Sequence, residues 1–212
     1  MSHNFQFHVT VGNLNLGKIT DFISLCEKLN VKPLLIELPV GDYLQQPMFT
    51  QKPFAKNLKE ARVIVAKTIT ELQKNGFAIA REKAEVHPDD ACYFTEHYDG
   101  FTPYFEWHGT VLAEPITLVE AIATKNGAVV SKDSLDIDKR RRFITVRTRD
   151  NKEKFYAMMS QVVNELKANN IEIVNEHLEY AVYDSCLALD GGWAEKSQLG
   201  SNQPSLVYGN VQ

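Results

Sequence analysis

The chain has 212 residues, of which 44% are hydrophobic and 24% are charged, and its formal net charge is −4. This composition is typical of a globular protein with one large domain or two domains of about 100 residues. The net charge excludes a general affinity for polyanions, so any anion site must be local. The sequence shows neither a secretory signal nor an apolar stretch of transmembrane length, and its three cysteines are scattered. We therefore expect a cytoplasmic protein with no membrane partner.

The first half of the chain predicts the element order β-α-β-β-α-β. Residues 5–11 (FQFHVTV) alternate as a strand does, and residues 16–30 carry apolar side chains on one helical face. Strands at 31–39 and 46–52, a helix at 57–76 and a strand at 77–86 complete the order. Asn57 and Glu60 form a capping pair for the second helix, and Gly76 suits its left-handed end.

The second half predicts the same order. Residues 105–111 (FEWHGTV) repeat residues 5–11 with histidine, threonine and valine at matching positions. The later elements are predicted at 115–127, 128–134, 141–149, 151–170 and 171–182. The pattern predicts an α+β fold of two tandem ferredoxin-like β-α-β-β-α-β modules related by internal duplication. We place the modules at 1–90 and 104–184, with a linker at 91–103 and a C-terminal anchor and loose tail at 185–212.

Strand alternation assigns the polar side chains of both halves to the sheet faces that the helices leave bare. His8 and Thr10 point away from Phe7 and Val9, which must meet the helices, and the second copy behaves in the same way. If the two bare faces turn toward each other, they form a cleft between the modules. The candidate site residues in this cleft are His8, Thr10, Arg81, Lys83, Glu106, His108, Thr110, Arg147, Arg149, His177 and Glu179.

Two histidines across such a cleft can act as general base and general acid, while the nearby cations stabilise an anion. The stretches His8-Val9-Thr10-Val11 and His108-Gly109-Thr110-Val111 resemble the paired motifs of the two-histidine (HxTx) phosphoesterases, which act on cyclic phosphodiesters and RNA ends. This resemblance implies metal-independent phosphodiester hydrolysis with His8 and His108 as the acid–base pair. The expected partner is a small phosphate-bearing ligand or an RNA end, and no cofactor is expected.

Other interpretations remain open. The stretches AREKAEVHP, YFEWHGTV, SKDSLD, RRFITVRTR and EYAVYDSCLALDGGW resemble an uncharacterised family of duplicated ferredoxin-like microbial proteins, a resemblance that implies no activity. The alternative function is a non-enzymatic module for ligand sensing or protein interaction that uses the bare faces to form a homodimer. A metal site could draw on His8, His108, His177, Glu106 and Glu179, but no HExxH or CxxC spacing supports one.

Overall fold

The computed structural model describes residues 2–12, 14–95, 101–112 and 115–194, which form four α-helices and ten strands. The helices are α1 (Leu16–Lys28), α2 (Leu58–Lys74), α3 (Ile116–Lys125) and α4 (Lys152–Ala168). The short strands β1 (His3–Asn4) and β5 (Phe54–Ala55) pair only with each other. The other strands are β2 (Gln6–Val11), β3 (Lys32–Glu37), β4 (Gln45–Gln51), β6 (Ile79–Val86), β7 (Tyr104–Leu112), β8 (Val129–Asp133), β9 (Arg141–Thr148) and β10 (Ile173–Asp184).

These eight longer strands form one closed antiparallel barrel in the order β10-β6-β2-β4-β3-β8-β9-β7. Two pairings join the halves of the chain: β10 pairs with β6 through Tyr180–Asp184, and β3 pairs with β8 through Ile36 and Glu37. The prediction of two tandem ferredoxin-like modules is therefore wrong. Two separate modules would leave strand edges with unpaired backbone groups, and pairing across the halves satisfies those groups instead. The predicted internal duplication gains no support, because neither half forms a complete unit by itself.

Local signals predicted the helix ends correctly. The amide of Glu60 donates to Asn57 Oδ1 over 2.9 Å, and Glu60 Oε2 accepts from the Lys56 amide over 3.1 Å, which forms the predicted capping pair at the start of α2. Gly76 and Asn170 follow α2 and α4 with φ of 82° and 57°, in the left-handed region that ends a helix.

The apolar faces of the strands point outward and pack beneath the helices. One cluster joins Phe7 and Val9 of β2 to the helices of the first half, and a second joins Trp107 and Ile144 to those of the second half. None of the four helices combines the length and the apolar composition that a membrane crossing requires. The main helical contributors to the two clusters are Phe22, Cys26, Val65, Leu72, Val119, Ile122, Phe155, Val162 and Leu166.

Residues 185–194, here called the closing segment, lie across one end of the barrel. Leu189 and Trp193 are buried, and Leu187 is half-buried. Trp193 Nε1 donates to the carbonyl of Val130 on β8 over 3.1 Å, and Gln46 Nε2 of β4 donates to the carbonyl of Leu189 over 2.8 Å. Residues 195–212, where the loose tail was predicted, lie outside the described residues.

Candidate functional site

The barrel encloses a cavity of about 240 Å³. Strand parity predicted that the helix-free faces carry the candidate residues, and closure of the barrel turns these faces inward. Thr110 is buried but does not line the cavity, and Arg149 is exposed with its guanidinium 5.9 Å from the centre of the Tyr104 ring. The predicted site residues that do line the cavity are His8, Thr10, Arg81, Lys83, Glu106, His108, Arg147, His177 and Glu179.

The cavity has two chemically different walls that face each other. The charged wall belongs to β9, β7, β10, β6 and β2, which are consecutive in the barrel, and it carries the ionisable residues just named. The apolar wall lies opposite, mainly on β3 and β4, and is completed from β9 and the closing segment. Its members are Leu34, Ile36, Leu38, Met48, Phe143 and Trp193.

Arg81 binds two aspartates at the closed end of the barrel. Its Nε and Nη2 donate to the two oxygens of Asp184 over 2.9 and 2.5 Å. Its Nη1 and Nη2 donate to the two oxygens of Asp190 over 3.0 Å each. The Tyr104 hydroxyl also donates to Asp184 over 3.1 Å. Asp190 belongs to the closing segment, so these charge-assisted bonds connect that segment to the barrel wall.

Arg147 and Lys83 extend this network along the charged wall. Arg147 Nε donates to Glu106 Oε1 over 2.8 Å, and its Nη2 donates to Asp190 Oδ2 over 2.7 Å. Lys83 Nζ contacts both Glu106 Oε2 and Glu85 Oε1. Burial by itself raises the pKa of Glu106, but Arg147 and Lys83 hold that pKa well below its usual value. Glu106 is therefore a carboxylate at neutral pH.

His8 contacts protein groups through both ring nitrogens. Its Nδ1 lies 2.9 Å from Thr50 Oγ1, while its Nε2 lies 2.9 Å from Gln6 Nε2 and 3.3 Å from Glu85 Oε2. Gln6 Nε2 also donates to Glu179 Oε1 over 2.5 Å, which connects this histidine to β10.

His108 has the same arrangement in the second half of the barrel. Its Nδ1 lies 2.8 Å from Thr145 Oγ1, and its Nε2 lies 3.3 Å from Glu179 Oε2 and 3.5 Å from Glu106 Oε2. Burial lowers the pKa of His108, but the carboxylates of Glu106 and Glu179 outweigh burial and raise that pKa to about 10. In this surrounding the ring is an imidazolium at neutral pH.

These contacts give no support to the phosphoesterase motif. Both ring nitrogens of His8 and of His108 already contact protein groups, and an imidazolium with a pKa near 10, as His108 has, cannot exchange protons efficiently at neutral pH. The neighbouring carboxylates would also repel a phosphate. The alternative of dimerisation through the helix-free faces finds no surface either, because those faces line the barrel interior.

The open end of the cavity, here called the mouth, is lined by Lys32, Lys52 and His177, all of them exposed. Burial lowers the pKa of His177; the Glu179 carboxylate opposes this shift, while the nearby Lys52 and Lys32 add to it. The two lysines have no ion-pair partner in the part of the chain that the structure describes. The mouth is therefore cationic, whereas the cations deeper in the barrel are already paired.

Sequence reasoning missed Lys32, Asp184 and Asp190. The alternation of β3 could have identified Lys32, because this residue shares a face with Leu34 and Ile36. No local signal marks Asp190, which reaches Arg81 across 109 positions of the chain.

Comparison with known proteins gives no family. No family model and no curated protein matches the chain, so neither resemblance proposed from the sequence gains support. Among solved structures, a regulatory subunit of aspartate kinase from Thermus thermophilus is 11% identical, with a TM-score of 0.34 over 77% of this chain and 92% of that chain. A putative monooxygenase from Fusobacterium nucleatum is 6% identical, with a TM-score of 0.35 over 90% of this chain and 95% of that chain. Chlorite dismutase from Candidatus Nitrospira defluvii is 10% identical, with a TM-score of 0.29 over 84% of this chain and 90% of that chain. These scores are too low to support a shared function.

Proposed function

We propose that the protein binds one small amphipathic anion inside the barrel, with the anionic group at the mouth and the apolar body along the apolar wall. The observation that carries this proposal is a cavity whose mouth has two unpaired lysines, Lys32 and Lys52, and whose interior has a continuous apolar side. The anionic group is a carboxylate or a phosphate, and the proposal includes no hydrolysis.

The size and lining of the cavity support a small molecule rather than an RNA end. A volume of about 240 Å³ lies just below the range of about 300–1,000 Å³ that is typical of small-molecule pockets. Leu34, Ile36, Met48 and Phe143 offer apolar contact, and burial of apolar ligand surface contributes about 25 cal/mol per Å². An apolar chain of six to ten carbons is the class of body that we expect here.

The charges fix the orientation of the ligand. Arg81, Lys83 and Arg147 already bind carboxylates of the protein, so they offer no free charge to a ligand anion. The surrounding carboxylates would repel such an anion. Lys32 and Lys52 have no such partners, and therefore the charged group stays at the mouth while the apolar body enters.

The test is a binding series on the full chain. Isothermal titration calorimetry is run with straight-chain carboxylates and alkyl phosphates of six to ten carbons, and with inorganic phosphate. We expect saturable binding of one chain-bearing anion per protein and none of inorganic phosphate. We expect Lys32→Ala and Lys52→Ala each to weaken binding by roughly twofold to fivefold, as the loss of an exposed charge contact predicts. Lys59→Ala, an exposed lysine on α2, is the matched control and should bind as the wild type does.

Two results contradict the proposal. One is the absence of binding by every chain-bearing anion in the series. The other is binding that the Lys32→Ala, Lys52→Ala double variant retains in full, because the mouth would then not hold the anionic group.

We also propose that the protein works in a reducing cytoplasm. This is supported by Cys26, Cys92 and Cys186, which are all free thiols. Fractionation of cells, with alkylation of the thiols before lysis, tests this location. Recovery of the protein outside the cytoplasm, or with its thiols oxidised, would contradict it.

A further inference from the structure

Two groups of one histidine and two glutamates lie on the charged wall and share Glu179. The first contains His8 and Glu85, the second contains His108 and Glu106, and in each group the candidate ligand atoms all lie within 4.8 Å of one another. His8 Nε2 is 3.3 Å from Glu85 Oε2. Ligand atoms held at about 2.0–2.1 Å by a tetrahedral metal ion are separated by about 3.3–3.4 Å. The first group therefore needs little rearrangement to bind an ion.

The orientation of His8 is that of a metal ligand. Metal-binding histidines usually donate one ring N–H to a neighbouring acceptor, which directs the other nitrogen at the ion. Thr50 Oγ1, 2.9 Å from His8 Nδ1, is placed to accept from a protonated Nδ1, and that tautomer would direct Nε2 at Glu85. Gln6 Nε2 now lies between His8 Nε2 and Glu179 Oε1. Rotation of this amide would present its oxygen as a fourth ligand.

The charge of the buried network also favours a cation. The network contains five buried carboxylates and three buried cations, and with the His108 imidazolium one negative charge remains. Uncompensated charge is costly in a protein interior, and a bound cation would compensate it. The carboxylates are Glu85, Glu106, Glu179, Asp184 and Asp190, and the cations are Arg81, Lys83 and Arg147.

The carboxylate of Glu85 distinguishes the first group from the second. Glu85 is fully buried, and within the described residues neither of its oxygens accepts a hydrogen bond, although Lys83 forms an ion pair with Oε1 and His8 Nε2 lies 3.3 Å from Oε2. Lys83 approaches Glu85 at Oε1, which leaves Oε2 for an ion. Glu106, by contrast, accepts hydrogen bonds from Arg147 and from Lys83. From this geometry we propose that His8, Glu85 and Glu179 bind one divalent transition-metal ion, with Zn²⁺ the best match to this ligand set.

The cavity supplies the entry path. His8, Glu179 and Gln6 all line it, so an ion that enters through the mouth reaches His8 and Glu179 directly, next to the buried Glu85. The site is thus open on the cavity side, and its occupancy does not depend on the anion proposed above.

The experiment uses the full chain after dialysis against a chelator, titrated with ZnCl₂ and with CoCl₂. We expect one ion per chain by calorimetry, and a visible absorption band when Co²⁺ binds. At a free metal concentration of 100 times Kd, the Tm should rise by roughly 5–10 °C. Glu85→Gln and His8→Ala should each weaken binding by about 100-fold or more, which exceeds the effect expected for outer partners of a metal site.

Matched controls separate this site from surface binding. His87→Ala removes an exposed histidine outside the cavity, and Glu37→Gln removes a half-buried carboxylate that pairs with Lys132. Both should bind the ion as the wild type does. Thr50→Val keeps all three ligands but removes the hydrogen-bond partner of His8, so it should weaken metal binding by roughly 10-fold or more. This variant still tests the proposal if Glu85→Gln does not fold.

Three results would overturn the proposal: no saturable binding of either ion to the wild type, full binding by both Glu85→Gln and His8→Ala, or loss of binding in Glu106→Gln with retention in Glu85→Gln.

Discussion

Replacement of Asp190 by asparagine tests whether the closing segment is held by buried charge. Asp190 is 3% exposed and accepts hydrogen bonds from Arg81 Nη1 and Nη2 at 3.0 Å and from Arg147 Nη2 at 2.7 Å. Asp190→Asn keeps the size and shape of the side chain but removes the negative charge that both guanidiniums contact. It also replaces one carboxylate oxygen by an NH₂ group, which cannot accept their hydrogen bonds. Loss of one partner from a buried ion pair costs about 3–5 kcal/mol. For a chain of this length we expect Tm to fall by roughly 6–20 °C.

The assay is thermal and urea unfolding followed by circular dichroism at pH 7. Asp138→Asn is the matched control, because Asp138 also accepts several hydrogen bonds from one arginine, Arg140, but in an exposed loop. Its Tm should stay within experimental error of the wild type. A fall of less than 2 °C for Asp190→Asn would refute the reasoning, since the buried network would then contribute no more than a surface pair.

The same variant should show a pH dependence. Burial raises the pKa of Asp190, but Arg81 and Arg147 outweigh burial and hold this pKa well below its usual value of about 3.8. A carboxylate with a depressed folded-state pKa contributes stability above its unfolded pKa and loses it as the pH falls toward the folded value. The difference in unfolding free energy between wild type and Asp190→Asn should therefore be constant from pH 5 to 7 and shrink below about pH 4. A difference that grows in acid would contradict this sign.

Two further predictions concern packing and protonation. Gly109→Ala would place a Cβ 2.5 Å from Cζ2 of the fully buried Trp107. We therefore expect the free energy of unfolding, measured in urea, to fall by about 1–3 kcal/mol. Gly12→Ala, whose Cβ would lie 3.9 Å from its nearest neighbour, should be nearly neutral. Equal stabilities for the two variants would contradict this packing argument. In chelator-treated protein, the NMR signals of the His108 ring should remain those of an imidazolium through pH 8. Because the folded pKa is raised, this histidine stabilises the fold fully below about pH 6.5 and loses that contribution as the pH rises through about 10. Titration of the ring near pH 6.5 would show that the carboxylates do not hold its proton.

Much of the local structure could be predicted because its causes are local. Alternation along β2 and β7 separates His8 and His108 from the apolar residues beside them, since neighbouring side chains of a strand point to opposite faces. The caps at Asn57 and Gly76 follow from side-chain and backbone preferences within a few residues. Such signals also identified most of the ionisable residues that line the cavity.

The sequence by itself therefore determined which residues form strands and helices and which side chains share a polar face. Only the tertiary structure decided that these faces enclose one barrel, because the pairings of β10 with β6 and of β3 with β8 join segments about 100 residues apart, and no local pattern encodes them. The same distance explains why the Asp190 network was missed. The positions of the two histidines were predicted from strand parity, but their chemistry depends on carboxylates that folding brings from other strands. With those carboxylates beside them, His8 and His108 belong to a buried ionic network rather than to the expected acid–base pair.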